Sequence, residues 1–292
     1  MPDKKIGWIG VGLLGTPIVE RFLGAGYDVV LHSRRRQSLE AFEGKALLVN
    51  SPAEVAAEAD IIFSALPGDK AFESVATEVL KALKPGQIYC DISTVSPEIS
   101  IKVSEECGEF VRAPVSGSVT HAKAGNLVVL GSGIKSTFDE LAPVFSVFSN
   151  TQLYVGPGDQ ARYLKLLINN LVGATAGLMA ESLIVGEKAG LNRDLVLDAL
   201  AQSAVGSPLV KYKAETLKAE NYAPAFPTTA MVKDITLFAE AAGKLNCASP
   251  YADLTVGLLK ENAARESRGE EDFSALTKLF SERASFSNVA AE

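Results

Sequence analysis

Near the N-terminus, Gly10-Val11-Gly12-Leu13-Leu14-Gly15 spaces three glycines as G-x-G-x-x-G. The run follows the apolar segment Ile6–Ile9 and precedes a helical pattern that reaches about Ala25, the order in which a dinucleotide site needs its strand, turn and helix. Gly10 permits the tight turn, Gly12 lets a pyrophosphate approach the backbone, and Gly15 lets helix and strand pack closely. Leu13 and Leu14 complete the turn, and the N–H groups that open the helix, at the positive end of its dipole, suit phosphate oxygens. About 20 residues further on, a site for NAD places Asp or Glu against the ribose 2′-hydroxyl. Here the second β-like run, 28–32, leads into Ser33-Arg34-Arg35-Arg36, and no carboxylate follows until Glu40. Guanidinium groups suit a phosphate through charge and bidentate geometry. These residues therefore predict NADP(H) in preference to NAD(H), with Arg34 as first contact and Ser33 and Arg35 beside it. In a chain of net charge −7 this basic cluster is a local exception. The acidic balance as a whole argues against a nucleic-acid partner.

A second spacing lies at mid-chain. Lys165 and Asn169 are one helical turn apart on the same face of a long helical pattern. On so apolar a stretch, a lysine followed by Asn169-Asn170 is costly unless polar groups or water meet it. Metal chemistry has little to work with: Cys90, Cys107 and Cys247 are widely separated, and the only histidines are His32 and His121. No metal is expected, and the thiols read as buried groups in a reducing compartment.

The elements that must position these residues fall into two halves. At about 150 residues per domain, a chain of 292 residues suggests two domains. Up to residue 157, β-like runs (Ile6–Ile9, 28–32, 61–65, 87–91, 109–113, 127–131 and 152–155) alternate with helical patterns, among them 53–59 and 72–83. Ser51-Pro52 supplies a cap and a first-turn proline for the former. Such alternation implies βαβ units in a mostly parallel sheet with helices on both faces, an α/β, doubly wound architecture. After Gly156-Pro157-Gly158 the pattern is helical throughout: 160–189, closed by Gly190, then 193–203, 207–219, 228–242 and 250–266. The expected division is 1–157 and 158–292, an α/β domain followed by an all-α domain, joined by a long interdomain helix. The charged stretch 265–272 reads as a solvated loop, and the last dozen residues read as poorly ordered. No apolar h-region precedes Ile6, so no secretory signal is visible. The charge-free stretch 166–180 is shorter than the roughly 20 residues needed to span a bilayer and reads as a buried helix. A cytoplasmic protein without a membrane or nucleic-acid partner is expected.

With these features in place, the sequence resembles the β-hydroxyacid dehydrogenase family, which includes 3-hydroxyisobutyrate dehydrogenase and glyoxylate/succinic semialdehyde reductase. The resemblance runs over roughly residues 5–280 and rests on four motifs, of which the glycine fingerprint of a Rossmann domain is the first. The second, Arg112-Ala113-Pro114-Val115-Ser116-Gly117-Ser118, is similar to the family's substrate segment, D-A-P-V-S-G-G. The resemblance implies that Ser116 and the backbone at Gly117 bind a substrate carboxylate, as a hydroxyl and N–H groups on a turn are suited to do. Arg112 stands where the family carries Asp. Ser118 stands in place of the last Gly, where it is expected to narrow the pocket or add a donor.

The third motif makes Lys165 the catalytic lysine and Asn169 its helper in orienting substrate or lysine. A lysine ammonium protonates the oxygen of a carbonyl as hydride reaches the carbon, and the neutral amine takes that proton back in oxidation. Asp159 and Ala161 replace two glycines that the family carries before the lysine. The fourth, Lys233-Asp234-Ile235, is similar to a K-D-L segment whose lysine closes over the cofactor, with Asp234 in the same motif. Phe226 is expected to give an apolar wall. Leu66-Pro67 and Asp91–Thr94 follow β-runs, at the strand ends where ligands sit in this sheet type, and Thr94 is expected to contact the nicotinamide ribose or the substrate. With the NADP(H) preference read from the arginine cluster, the resemblance implies an NADPH-dependent reductase of a small aldehyde or keto acid bearing a carboxylate, working as a homodimer or higher homo-oligomer. An imine reductase and a non-catalytic scaffold of the same fold are the alternatives.

Overall fold

In the computed structural model, residues 4–286 are described. The N-terminal half alternates β1 (Ile6–Ile9), α1 (Gly15–Gly24), β2 (Val29–His32), a 3-10 helix (Arg36–Phe42), β3 (Leu47–Leu48), α2 (Pro52–Glu58), β4 (Ile61–Ser64), α3 (Asp69–Ala82) and β5 (Ile88–Asp91). It continues through α4 (Pro97–Glu106), β6 (Phe110–Arg112), β7 (Val115–Ser116), α5 (Val119–Ala124), β8 (Leu127–Gly133), α6 (Lys135–Phe145) and β9 (Ser149–Gly156). One sheet carries these strands in the order β3-β2-β1-β4-β5-β6-β8-β7, with β9 also on β8. From β3 to β6 every pairing is parallel. β8 then runs antiparallel to β6 and β7, and β9 returns parallel to β8.

Strands buried on both faces explain why the first half reads as solid apolar runs rather than alternation. Trp8, Ile61 and Phe63 point into one core with Phe22 and Phe148, while Ile9 and Ile62 point into the other with Phe72 and Tyr89. Three helices outside the expected set, α4, α5 and α6, cover this sheet as well. α4 has its own start signal, Ser96 accepting from Ile99 N with Pro97 in the first turn, the device that also opens α2 at Ser51-Pro52.

The second half is helical: α7 (Gln160–Lys188), α8 (Arg193–Gln202), α9 (Pro208–Lys218), α10 (Thr228–Lys244), α11 (Pro250–Ala263), a 3-10 turn (Phe273–Ala275) and α12 (Leu276–Phe286). By internal contacts the chain divides after Lys165, inside α7, rather than at 157/158 ahead of it. One core of the second unit gathers Met231, Ile235 and Leu276, and another gathers Met179, Leu183 and Leu197.

Three expectations are corrected. The stretch 265–272 is not wholly solvated: Asp272 is buried and accepts from Lys213 Nζ at 2.6 Å and from Ser274 Oγ at 2.6 Å. The stretch 166–180 is not wholly buried, because Leu167, Leu171 and Leu178 are 50%, 68% and 63% exposed. By length and composition alone α7 is also apolar enough to cross a membrane, while its inner side packs Met179 and Leu183 into a core. Of the last dozen residues, those up to Phe286 continue α12, and 287–292 lie outside the described residues.

Cys90 and Cys107 are buried as expected, whereas Cys247, expected to be buried with them, is exposed. Burial pushes the Cys90 thiol well up and the Cys107 thiol up to about 11, leaving almost no thiolate near neutral pH. A thiol-reactive chromogen at neutral pH is therefore expected to label Cys247 quickly and the other two only after unfolding. Cys247→Ser should abolish the fast phase. A second fast thiol in that variant would contradict the burial described.

Candidate active site

β1, β2, β4, β5 and β6 are parallel neighbours, so their carboxyl ends lie along one edge of the sheet. The glycine turn leaves the first of these ends. Gly10 has φ +100°, and a Cβ there would stand 2.2 Å from Ala65 O. A Cβ on Gly15 would stand 2.3 Å from Gly10 O, so the start of α1 is pressed against the turn. A Cβ on Gly12 would meet nothing within 4 Å. Two of the glycines are thus required by the protein's own packing, and the third leaves space in front of a helix N-terminus. Leu14, at the cap position of α1, supplies no side-chain cap, and Leu13 is exposed. An open approach to uncapped N–H groups fits a pyrophosphate.

At the end of β2, Ser38 Oγ donates its one proton to Arg35 O at 2.7 Å and lies 2.9 Å from Ser33 Oγ, whose hydroxyl is then the donor in that bond. This local bonding holds the turn that presents the arginines. Arg36 is engaged, donating to Asn50 Oδ1 at 2.9 Å. Arg34 and Arg35 are exposed and take part in no ion pair among the described residues.

The ends of β4 and β5 carry Leu66, Pro67 and Thr94. Leu66 N donates to Ser93 Oγ at 2.8 Å, which ties the two loops together. Beneath them Asp91 is fully buried. Its Oδ1 accepts from Ser64 Oγ at 2.5 Å and Ser93 Oγ at 2.7 Å, and its Oδ2 from Ser93 N at 3.1 Å and Arg162 Nη2 at 2.7 Å. Arg162, in the first turn of α7, also donates to Ser93 O at 2.6 Å and Ser100 Oγ at 3.3 Å. Ser64 Oγ lies 3.0 Å from the Tyr89 hydroxyl. With the Ser64 hydroxyl donating to Asp91, the phenol is the donor in that bond. Burial first, then the Asp91 carboxylate, pushes the Tyr89 phenol well above its usual range.

Beside this cluster stands the segment that resembles a substrate turn. Ser116 is half-buried, and Gly117 has φ +132°, a conformation that favours glycine. Ser118 Oγ lies 2.9 Å from His121 Nδ1, which also accepts from Ser118 N at 3.2 Å. Its hydroxyl is therefore held in the cap of α5 by His121. Arg112, buried at the end of β6, turns inward: Nε donates to Asp159 Oδ1 at 2.7 Å and Ser100 Oγ at 3.2 Å. Burial pushes its guanidinium below the usual range, and Asp159 opposes that shift. Lys165 follows on α7, half-buried.

In the second unit, Asn169 is buried and its Nδ2 donates to Asp234 Oδ2 at 2.5 Å. Lys233 Nζ lies 2.7 Å from Asp234 Oδ1. The Asn169, Lys233 and Asp234 positions singled out in the sequence thus form one polar group on α7 and α10. The Phe226 ring packs edge-on against Phe273, with centroids 6.2 Å apart.

Sequence reasoning missed Arg162, Asp159 and Ser100 as members of the buried cluster. The available signal was compositional: two charged residues three positions apart at the start of a strongly apolar helix need partners.

Residues 5–156 match the family described as the NAD binding domain of 6-phosphogluconate dehydrogenase. Residues 159–280 match the one described as NAD-binding of NADP-dependent 3-hydroxyisobutyrate dehydrogenase. The chain is 32% identical to glyoxylate/succinic semialdehyde reductase 1 of Arabidopsis thaliana, over 93% of this chain and 96% of that protein. It is 29% identical to the cytokine-like nuclear factor N-PAC of Homo sapiens, over 95% of this chain but only 52% of that protein. Among solved structures, 3-hydroxyisobutyrate dehydrogenase of Mycobacterium tuberculosis with L-serine superposes with a TM-score of 0.85 at 25% identity, covering 94% of this chain and 98% of that one. Matches that run from the first strand into the last helix, with a relative aligned over nearly its whole length, place this chain in the β-hydroxyacid dehydrogenase family, NAD(P)-dependent oxidoreductases that act on CH–OH groups.

Proposed function

We propose that this enzyme is an NADPH-dependent reductase of a small aldehyde or keto acid bearing a carboxylate, reversible toward the corresponding hydroxyacid, with Lys165 as its general acid and base. The observation that carries the cofactor choice is the pair of exposed guanidiniums, Arg34 and Arg35, past the end of β2 with no ion-pair partner among the described residues. A 2′-phosphate supplies the charge that they lack. Gly12 leaves room for the pyrophosphate, and Leu66, Pro67 and Thr94 stand on the neighbouring strand ends.

When bound, the nicotinamide supplies the hydride in reduction and takes it in oxidation. The protein's part is to bind, orient and move a proton. Ser116 Oγ and the backbone at Gly117 hold the substrate carboxylate. The Lys165 ammonium gives its proton to the former carbonyl oxygen and stabilises the charge developing there. In the reverse direction the neutral amine accepts the hydroxyl proton.

The test is a panel of glyoxylate, succinic semialdehyde, methylmalonate semialdehyde and a cyclic imine, each followed by NADPH and NADH absorbance. NADPH should be favoured on every accepted substrate, and an aldehyde or keto acid should exceed the imine. In Arg34→Ala the preference for NADPH should fall by about tenfold or more, the scale of one lost charge-assisted hydrogen bond. An unchanged cofactor ratio in that variant, or a wild-type preference for NADH, would sink the arginine assignment. An imine as sole substrate would sink the reaction class.

A further inference from the structure

Asp159 and Arg112 are the two positions at which this chain departs most in charge from the motifs that it resembles, and they are partners of each other, 2.7 Å apart. Their side chains are only 11% and 4% exposed. Asp159 sits immediately before α7, and its carbonyl accepts from Arg162 N at 2.9 Å and Tyr163 N at 3.2 Å, which makes it the residue on which the helix starts. An aspartate there would ordinarily turn its carboxylate to the first-turn N–H groups. This one gives Oδ1 to Arg112 instead.

Arg112 ends β6, directly before the turn that carries Ser116 and Gly117. Ser100 Oγ accepts from both Arg112 and Arg162, and Arg162 is anchored in turn on Asp91. A continuous buried chain therefore runs Asp159, Arg112, Ser100, Arg162, Asp91. It joins the start of α7 at two points to the ends of β5 and β6.

We propose that Asp159 and Arg112 are positioning residues: their ion pair is a strut that fixes the first turn of α7 against the substrate turn and so sets where the Lys165 ammonium stands. This inference rests on the assignment of Lys165 as the proton donor. Lys165 lies six residues past Asp159 on an unbroken helix, so a small tilt at the helix start displaces it. Positioning is a steep function of distance, and a misplacement of about 1 Å costs about 10²-fold in rate.

The experiment measures kcat, KM and NADPH Kd, with a thermal melt as fold control, for wild type, Asp159→Asn, Arg112→Gln and the double variant. The substrate is whichever of glyoxylate and succinic semialdehyde the wild type reduces faster. The same Asp159→Asn change is then made on Lys165→Ala. Each single variant should lose about 10–10²-fold in kcat, with NADPH Kd within about twofold and KM changed far less than kcat. The double variant should be no slower than either single one, because the strut is broken only once. On Lys165→Ala, Asp159→Asn should add nothing further.

Wild-type kcat in a folded Asp159→Asn, or multiplicative losses on Lys165→Ala, would overturn the inference. If Asp159→Asn melts too low to assay, the cycle is read from Arg112→Gln on the same two backgrounds. If Lys165→Ala alone keeps wild-type turnover, the lysine assignment fails and the strut falls with it. A slow Lys165→Ala beside an unaffected Asp159→Asn removes the strut alone.

Discussion

Lys165→Ala is expected to lower turnover by about 10²–10⁴-fold, the range for loss of a positioned general acid or base, while the affinity for NADPH stays within a few-fold of wild type. The two readouts separate because the residues proposed for the cofactor (Gly12, Arg34, Arg35, Leu66 and Thr94) lie elsewhere on the sheet edge. Lys165→Arg sharpens the result. A guanidinium keeps the positive charge but holds its proton at every pH of interest. It should therefore remain near the alanine variant if proton transfer is the role, and recover most of the activity if charge alone matters. Single-turnover mixing under saturating NADPH, before and after substrate, gives the chemical step directly. Wild-type rates in Lys165→Ala would remove the proposed mechanism and leave the family assignment standing.

The second large effect concerns folding. Arg162→Leu should destabilise the protein by about 3–5 kcal/mol, the cost of removing one partner of a buried ion pair. Both side chains of the Arg162–Asp91 pair are 0% exposed, and Asp91 sits among hydrogen bonds that presuppose its negative charge. The substitution also leaves Ser93 O without the 2.6 Å bond that it now accepts from Arg162. Against a typical total stability of about 5–15 kcal/mol, such a loss is large enough to depress soluble yield. Urea denaturation followed by far-UV circular dichroism measures it. Arg162→Leu combined with Asp91→Leu should recover part of the loss, because an absent pair costs less than a broken one. A change below about 1 kcal/mol in the single variant would mean that water reaches Asp91, contrary to the burial described.

Much of the fold was legible because its signals are local. The glycine fingerprint, the strand before it and the helix after it sit within one short stretch, and the structure uses each glycine in a distinct way. The basic turn at Arg34 and the helical character beyond residue 160 were equally plain. What escaped were partnerships distant in sequence. Arg112 and Asp159 are 47 residues apart, and Arg162 and Asp91 are 71 apart. No periodicity links residues at such distances. Arg112 belongs to the segment that resembles a substrate turn, yet its guanidinium is turned inward toward Asp159. Asp272 escaped in the same way, as one more acid in a charged stretch until its partner Lys213 came from another helix. The antiparallel placement of β8 was hidden for a related reason: β7 is only two residues long, too short for any pattern. By contrast α4 was within reach, since Ser96-Pro97 repeats the start signal already used at Ser51-Pro52.

The pairing of Arg112 with Asp159 also bears on how such a sequence arises. A buried guanidinium without its carboxylate, or the carboxylate without its guanidinium, is worse than having neither. A lineage moving toward or away from this pair one substitution at a time must pass through a less stable ancestor, unless some earlier change has raised its tolerance. The two substitutions therefore behave as a single heritable character, and a recombinant that takes residue 112 from one parent and residue 159 from another inherits the penalty without the strut.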